Sequence, residues 1–232
     1  MGYEEANTMY LATLLKEGTK ENHNLAENTT FILNYLKGVL SRDSYVELLQ
    51  DFYAIYSTLE RELTAHKDDR ILGHFYRPEL FRSDALFSDL KSFLGDDLKE
   101  LKTSKAAQVY INRIVFVSEY SPRSLIGHHY TRYLGDLSGG QVLKRITKTT
   151  LKVGDGALKF YEFPKISKPG LYKTEYRTML DALLLSQADK EMIVQEANLA
   201  FTMNIHLFNE LGSRSRKNMF SLVFDRVLSV FR

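Results

Sequence analysis

YTRYLGDLSGG, residues 130–140, lies inside a helical pattern and places three glycines within six residues. Ser124, Leu125 and Ile126 precede it, and Gln141, Val142, Leu143, Lys144, Arg145 and Ile146 follow it. Helix formers therefore flank Gly135, Gly139 and Gly140 on both sides. An interior glycine costs about 1 kcal/mol relative to alanine, and adjacent glycines invite a kink. The physical reason to keep them is close approach to the main chain. Gly135 and Gly139 are four apart and share a face, so a flat ligand or another helix can lie against the backbone there. Tight packing of small residues against a second helix is the competing account. A membrane version of that packing fails, because Arg132, Asp136 and Lys144 sit in the same segment. Asp136 follows Arg132 by four residues, which puts a carboxylate and a guanidinium within pairing reach beside the smooth surface.

On the N-terminal side, Leu11, Leu14, Leu15, Gly18, Leu25 and Ala26 fall on one face of a helix expected from Thr8 to Glu27. Lys16, Lys20, His23 and Glu27 gather on the opposite face. A histidine inside a charged stripe is either an incidental surface residue or a cofactor-facing one oriented by Glu27. Phe31, Leu33, Tyr35, Leu36, Val39 and Leu40 predict a short helix. Ser44 and Glu47 read as a capping box that opens a long helix running through Tyr56 to Leu63. Asp68, Asp69, Gly73 and Pro78 mark a loop, after which helices are expected from Leu86 to a cap at Gly95 and from about Thr103 to Tyr120. Pro122 suits the first turn of the glycine-bearing helix, which fades near Lys152.

On the C-terminal side, Gly154, Gly156, Pro164 and Pro169 make a loop. A helix from about Leu171 to Leu184 carries Lys173 and Arg177 four apart. A long helix follows from Ser186 to about Leu211, with Gly212 as its expected stop, and a docked helix over about 215–231 ends the chain. No strand, repeat or low-complexity tract is evident. The fold class is all-α, a single domain over 1–232 with its core at about 11–211.

Composition bounds the function. At 232 residues, 44% hydrophobic and 26% charged, the chain is an ordinary globular protein. The 31 basic and 29 acidic residues nearly cancel, leaving +2 and no case for nucleic acid. There is no cysteine, which excludes disulfides, thiolate metal sites and a cysteine nucleophile. The first residues, MGYEEANTMY, lack a basic and apolar secretory signal, and no apolar run approaches a membrane-spanning length.

Taken together, YTRYLGDLSGG at 130–140, LKEGTKENHNLAEN at 15–28 and FTMNIHLFNEL at 201–211 resemble the biliverdin-forming haem oxygenases. The resemblance runs from about Leu11 to Leu211 in the family's order and spacing. It implies a helical bundle in which haem b is sandwiched between a proximal N-terminal helix and a glycine-kinked distal helix. Carried over, it implies that His23 is the axial iron ligand and Glu27 its hydrogen-bond partner. A neutral imidazole leaves the iron able to bind and activate O₂. Lys16, Lys20, Tyr130, Lys173 and Arg177 match positions near the propionates, and Thr131 belongs to the same haem-binding group. Gly135 and Gly139 match the glycines over the iron, which steer oxygen toward one meso edge. Asp136 matches the carboxylate of a proton-delivering water network, supported by Tyr56, Arg132 and Asn204. Phe201 and Phe208 match walls along the haem edge.

The implied reaction uses O₂ and a reductant to open haem at a meso carbon, the α carbon by family default, giving biliverdin, CO and ferrous iron. The implied donor is ferredoxin, docking on cations at the haem edge, and a bilin reductase is an expected recipient of biliverdin. A haem carrier or sensor that binds through His23 without turnover is the alternative. Di-iron relatives need Glu-x-x-His pairs, which are lacking, and thiamin-degrading relatives need a cysteine. The chain departs from the family at His129, where a small residue is usual; His128 matches a family histidine, and both are expected to be structural. Without the hydrophobic C-terminal anchor of animal forms, the expectation is a soluble bacterial, cyanobacterial or plastid type, in cytoplasm or stroma.

Overall fold

The apolar periodicity is realised as helix, and no strand occurs among the described residues. The computed structural model describes residues 10–95, 98 and 101–230, with 215–230 given as helical backbone alone. Helices α1 (Leu11–Gly18), α2 (Lys20–Glu27) and α3 (Thr30–Leu36) lead into the long α4 (Arg42–Ala65). Next come α5 (Ser83–Leu94), α6 (Lys105–Tyr120) and the short α7 (Leu125–His129). A π-helical turn over Tyr130–Leu134 joins α7 to α8 (Gly135–Leu151). Helices α9 (Pro169–Ala182) and α10 (Gln187–Val230) complete the all-α domain.

Helix α4 is the central post. Its Tyr45, Leu49, Ile55, Tyr56, Leu59 and Leu63 are all fully buried, meeting Tyr110 and Ile114 of α6 and Leu125 and Ile126 of α7 in one core. Helix α10 crosses α7 at Gly127, where a Cβ would sit 2.7 Å from the Ala197 nitrogen and 2.9 Å from the Ile193 oxygen. Only glycine permits that contact. Among the described residues no helix is long and apolar enough to cross a membrane.

Several local expectations are corrected. The helix expected through Glu27 is broken at Thr19, which has φ −105° and ψ −1°. The buried Thr19 hydroxyl donates to the Leu15 carbonyl at 2.7 Å, a side-chain bond back to the preceding turn that bends helices. Leu25, assigned to the buried face, is 53% exposed. Val39 and Leu40 lie beyond the end of α3, where Gly38 takes a positive φ of 71°. Ser41, not Ser44, caps α4; its hydroxyl accepts from the Ser44 amide at 3.1 Å. Gly212 does not stop α10, which runs unbroken for 44 residues. A Cβ at Gly212 would lie 3.6 Å from Phe31, so this glycine serves close packing. The helix expected at 215–231 is the continuation of α10 through Val230; Phe231 lies outside the described residues, as do Thr8 and Met9 ahead of α1.

Candidate active site

The break at Thr19 re-aims the chain so that α1 and α2 form one wall of a cleft. The opposite wall is the π turn with the start of α8. A cavity of about 610 Å³ lies between them, lined by Lys16, Lys20, His23 and Glu27 on one side and Tyr130, Thr131, Gly135, Ser138 and Gly139 on the other, with Arg177 and Phe201 at its ends. A second cavity of about 370 Å³ shares His23, Glu27, Thr131, Gly135, Gly139 and Phe201 and reaches inward to Arg132, Asp136, Asn204 and Phe208. A Cβ at Gly135 or at Gly139 would meet nothing within 4 Å, so both glycines open on the cleft rather than on a packed helix. The π turn over Tyr130–Leu134 runs directly into Gly135, and α8 continues from there to Leu151.

His23 stands on the wall facing the glycines. Its ring is edge-on to Phe201 at 5.5 Å, and its Nε2 lies 3.7 Å from Glu27 Oε1 one turn along, with both side chains about half exposed. That separation is an ion-pair distance and longer than a hydrogen bond.

Behind the glycine wall lies a buried polar group. The Tyr56 hydroxyl donates to Asp136 Oδ2. Arg132 Nε donates to the same hydroxyl at 3.1 Å, and its Nη1 donates to Asn204 Oδ1 at 2.5 Å. Asn204 is fixed in turn by its Nδ2, which donates to the Ala200 carbonyl at 3.0 Å. Arg132 and Asp136 thus meet through Tyr56 rather than as the direct pair that their spacing suggests. The guanidinium lies over the rings of Phe52 and Tyr56, at 4.3 and 4.7 Å. Burial pushes the Asp136 carboxyl above the ordinary carboxylate range, while Arg132 and the Tyr56 hydrogen bond pull it back. Burial opposes the Arg132 charge too, but Tyr56 and Asp136 more than offset this, so the guanidinium stays charged.

The rim is cationic. Lys16, Lys20 and Arg177 are exposed there. Lys173 does not line the cavity, but its Nζ reaches from α9 across to Ser138 Oγ at 3.2 Å. Tyr130 is pushed up by burial and drawn down by Arg177 and by a hydrogen bond with Thr19. The residues that the resemblance assigns to the haem site are therefore in or against this one cleft, with Tyr56 just behind it. Sequence reasoning missed Ser138, although it lies between the two glycines. It also missed Phe52, Tyr35 and Tyr161, which line the inner cavity and had no local signal to separate them from core aromatics.

His128, which matches a family histidine, and the departing His129 are both buried away from the cleft. His128 Nε2 lies 2.9 Å from Glu196 Oε1, and Glu196 also receives Arg113 through Nε at 3.0 Å and Nη2 at 2.6 Å. Burial works against the Glu196 charge, but the His128 and Arg113 hydrogen bonds prevail and hold it at about 2. His129 packs on Tyr176 with rings 8° from parallel, and burial with the nearby Arg77 charge drops its imidazole to about 3. It is a neutral core residue.

A slot with smooth glycine backbone on one face, an imidazole on the other, apolar aromatic ends and cations at the mouth fits a flat, mainly apolar molecule that carries a metal and anionic groups. The comparisons agree. The family model described as "Heme oxygenase" matches residues 9–210. Heme oxygenase 1 of Synechocystis is 44% identical over 93% of this chain and 90% of its own. The crystal structure of heme oxygenase-1 from that cyanobacterium in complex with heme superimposes with a TM-score of 0.89 at 43% identity, covering 94% of this chain and all of that one. The heme oxygenase of Leptospira interrogans gives 0.82 at 41% identity over 87% of this chain and all of that one. With the family's fold, cleft and sequence in place over nearly the whole described length, this chain belongs to the haem oxygenases.

Proposed function

We propose that the chain binds haem b, substrate and cofactor at once, in the cleft and opens it at the α meso carbon to biliverdin, CO and Fe²⁺. Haem supplies both the iron at which O₂ is activated and the ring that is opened. His23 holds the iron and Glu27 orients the imidazole. Lys16, Lys20, Tyr130, Lys173 and Arg177 neutralise the propionates, with Thr131, Phe201 and Phe208 fixing the ring edges. Gly135 and Gly139 leave room above the ring plane. Asp136 holds the proton for the oxygen side of the cleft, positioned by Tyr56, Arg132 and Asn204. Electrons come from reduced ferredoxin, which suits a cationic rim, and a bilin reductase consumes the product.

The observation that carries this reading is Asp136. Its carboxyl is partly buried behind the two open glycines, bonded to Tyr56 and backed by Arg132 and Asn204. A carrier or sensor has no use for a tuned carboxyl there. The test is Asp136→Asn, followed by haemin titration and by turnover with reductant under air. Retained Soret absorption with lost biliverdin formation supports the assignment. Unchanged turnover removes Asp136 from the mechanism, and a wild-type Soret band that survives every reductant supports the carrier.

A further inference from the structure

The interior holds a line of tyrosines, each hydrogen-bonded to a base, leading from Asp136 to the surface of α9. Tyr56 donates to Asp136. Its ring lies 5.7 Å from that of Tyr133, whose hydroxyl donates to Glu60 Oε1 at 3.3 Å. The Tyr133 ring is 4.6 Å from His129. His129 stacks at 5.4 Å on Tyr176, and its Nδ1 is 2.8 Å from the Tyr176 hydroxyl. With the imidazole neutral and its proton on Nε2, Nδ1 is the acceptor. One turn earlier on α9, the half-buried Tyr172 donates to Glu79 Oε1 at 2.7 Å and accepts from Arg77 Nη1 at 3.2 Å.

A phenol gives up an electron far more easily when its proton can pass to an adjacent base in the same step, since no radical cation then forms. Rings in contact, or one helical turn apart, pass the vacancy along. Satisfying buried hydroxyls does not by itself require bases. The same core shows the other solution, where Tyr35 hydrogen-bonds Tyr161 at 2.6 Å and Thr147 at 2.5 Å. Those phenols line the same inner cavity and have only hydroxyls as partners. Tyr110, 3.5 Å from His128 Nδ1, is a base-paired tyrosine outside the line; Tyr56, Tyr133, Tyr176 and Tyr172 are the base-paired ones that start at the proton-handling carboxyl and end at solvent.

We propose that Tyr56, Tyr133, Tyr176 and Tyr172 conduct oxidising equivalents away from the cleft when oxygen activation miscarries. This rests on the reading that the site activates oxygen on haem. An oxidant in the cleft, formed from a peroxide and the bound haem, takes one electron from Tyr56, whose phenolic proton moves to Asp136. Tyr133 returns an electron to Tyr56, which recovers its proton from Asp136 while the Tyr133 proton moves to Glu60. Tyr176 with His129, then Tyr172 with Glu79, repeat the exchange. A small one-electron reductant of the ascorbate class reduces Tyr172 from solvent, and Glu79 returns the proton. The net change is one electron from that reductant to the oxidant.

The test loads the protein with haemin, adds hydrogen peroxide without reductant, and reads tyrosyl radicals by freeze-quench electron paramagnetic resonance and trap adducts by peptide mass spectrometry. The expected result is an adduct concentrated on Tyr172, falling several-fold in Tyr176→Phe and in Tyr133→Phe, with more haem-protein cross-linking inside the cleft. Tyr161→Phe is the control and leaves the adduct unchanged. Tyr172→Phe, at a half-buried position, covers the case in which an interior variant fails to fold and is expected to prolong the radical signal. An adduct on Tyr172 indifferent to both interior substitutions, or one that moves with Tyr161, overturns the proposal. Failure to bind haemin overturns it together with the functional reading; haem conversion with unaltered labelling overturns it alone.

Discussion

The backbone amide of Ala12, in the first turn of α1, donates to Asp181 Oδ1 near the end of α9 at 2.8 Å. That bond ties the helix bearing Lys16 to the helix bearing Lys173 and Arg177, so the two sides of the cationic rim are held at a fixed separation. Asp181→Ala is expected to lower stability by about 1 kcal/mol, the worth of one hydrogen bond. It is also expected to weaken haem binding in a Soret titration without altering the spectrum of the bound form, because His23 is untouched.

The glycines divide into two kinds with opposite predictions. Gly139 has open space where a Cβ would be, so Gly139→Ala is expected to raise stability by up to about 1 kcal/mol through helix propensity while reducing turnover. Gly127 has the Ala197 nitrogen 2.7 Å from that point, and Gly127→Ala is expected to lose about 1–3 kcal/mol by overpacking. Urea denaturation of the two variants, read beside biliverdin formation, checks both signs.

Stability should fall as pH rises from weakly acidic to neutral. Burial lifts Asp51 and Asp89 to about 6, against the hydrogen bonds from Ser104 and from Lys159 and Phe160. A carboxyl whose folded pKa exceeds its unfolded value stabilises the fold below the unfolded pKa, and that stabilisation is lost as pH rises through the folded one. Between about pH 5 and about pH 7 each of these two removes about 1 kcal/mol. Glu196, held at about 2, has the reverse sign and costs stability only as pH falls below its unfolded value. Denaturation midpoints across this range test the slope.

Glu196 itself joins three helices, receiving Arg113 of α6 and contacting His128 of α7 from α10. Glu196→Ala leaves His128 and Arg113 without their shared acceptor and is expected to cost roughly 3–5 kcal/mol. Glu196→Gln, which keeps an acceptor for one of them, should lose less. Thermal unfolding of the two variants ranks them.

Helix positions were legible because burial and periodicity coincide in α4, α5, α6 and α10. The misses share a cause, which is that local signals do not report distant neighbours. Ser41 and Ser44 both carry capping chemistry, and only the chain direction before α4 selects Ser41. Gly212 carries a stop signal, but Phe31 packs against it from another helix, and that contact is invisible along the chain. Most of the cleft residues lie in the three motifs, whereas Tyr56, Lys173 and Arg177 lie outside them and follow from the resemblance alone. The linkage of Arg132 to Asp136 by way of Tyr56 needs a side chain 76 residues away from Arg132, which helical spacing cannot supply.

The π turn at Tyr130–Leu134 gives the site a dependence on residue count. An α turn and a π turn differ by one residue, so deleting one position from 130–134 would let the segment rewind as α-helix while Gly135, Asp136 and Gly139 hold nearly the same direction. A one-residue deletion in the regular helix beyond it, between Gly135 and Gly139, has no such slack and would turn Gly139 by about 100° around the axis relative to Gly135. The distal wall is set by phase as much as by chemistry, and the π turn is the place where a change of residue count is absorbed.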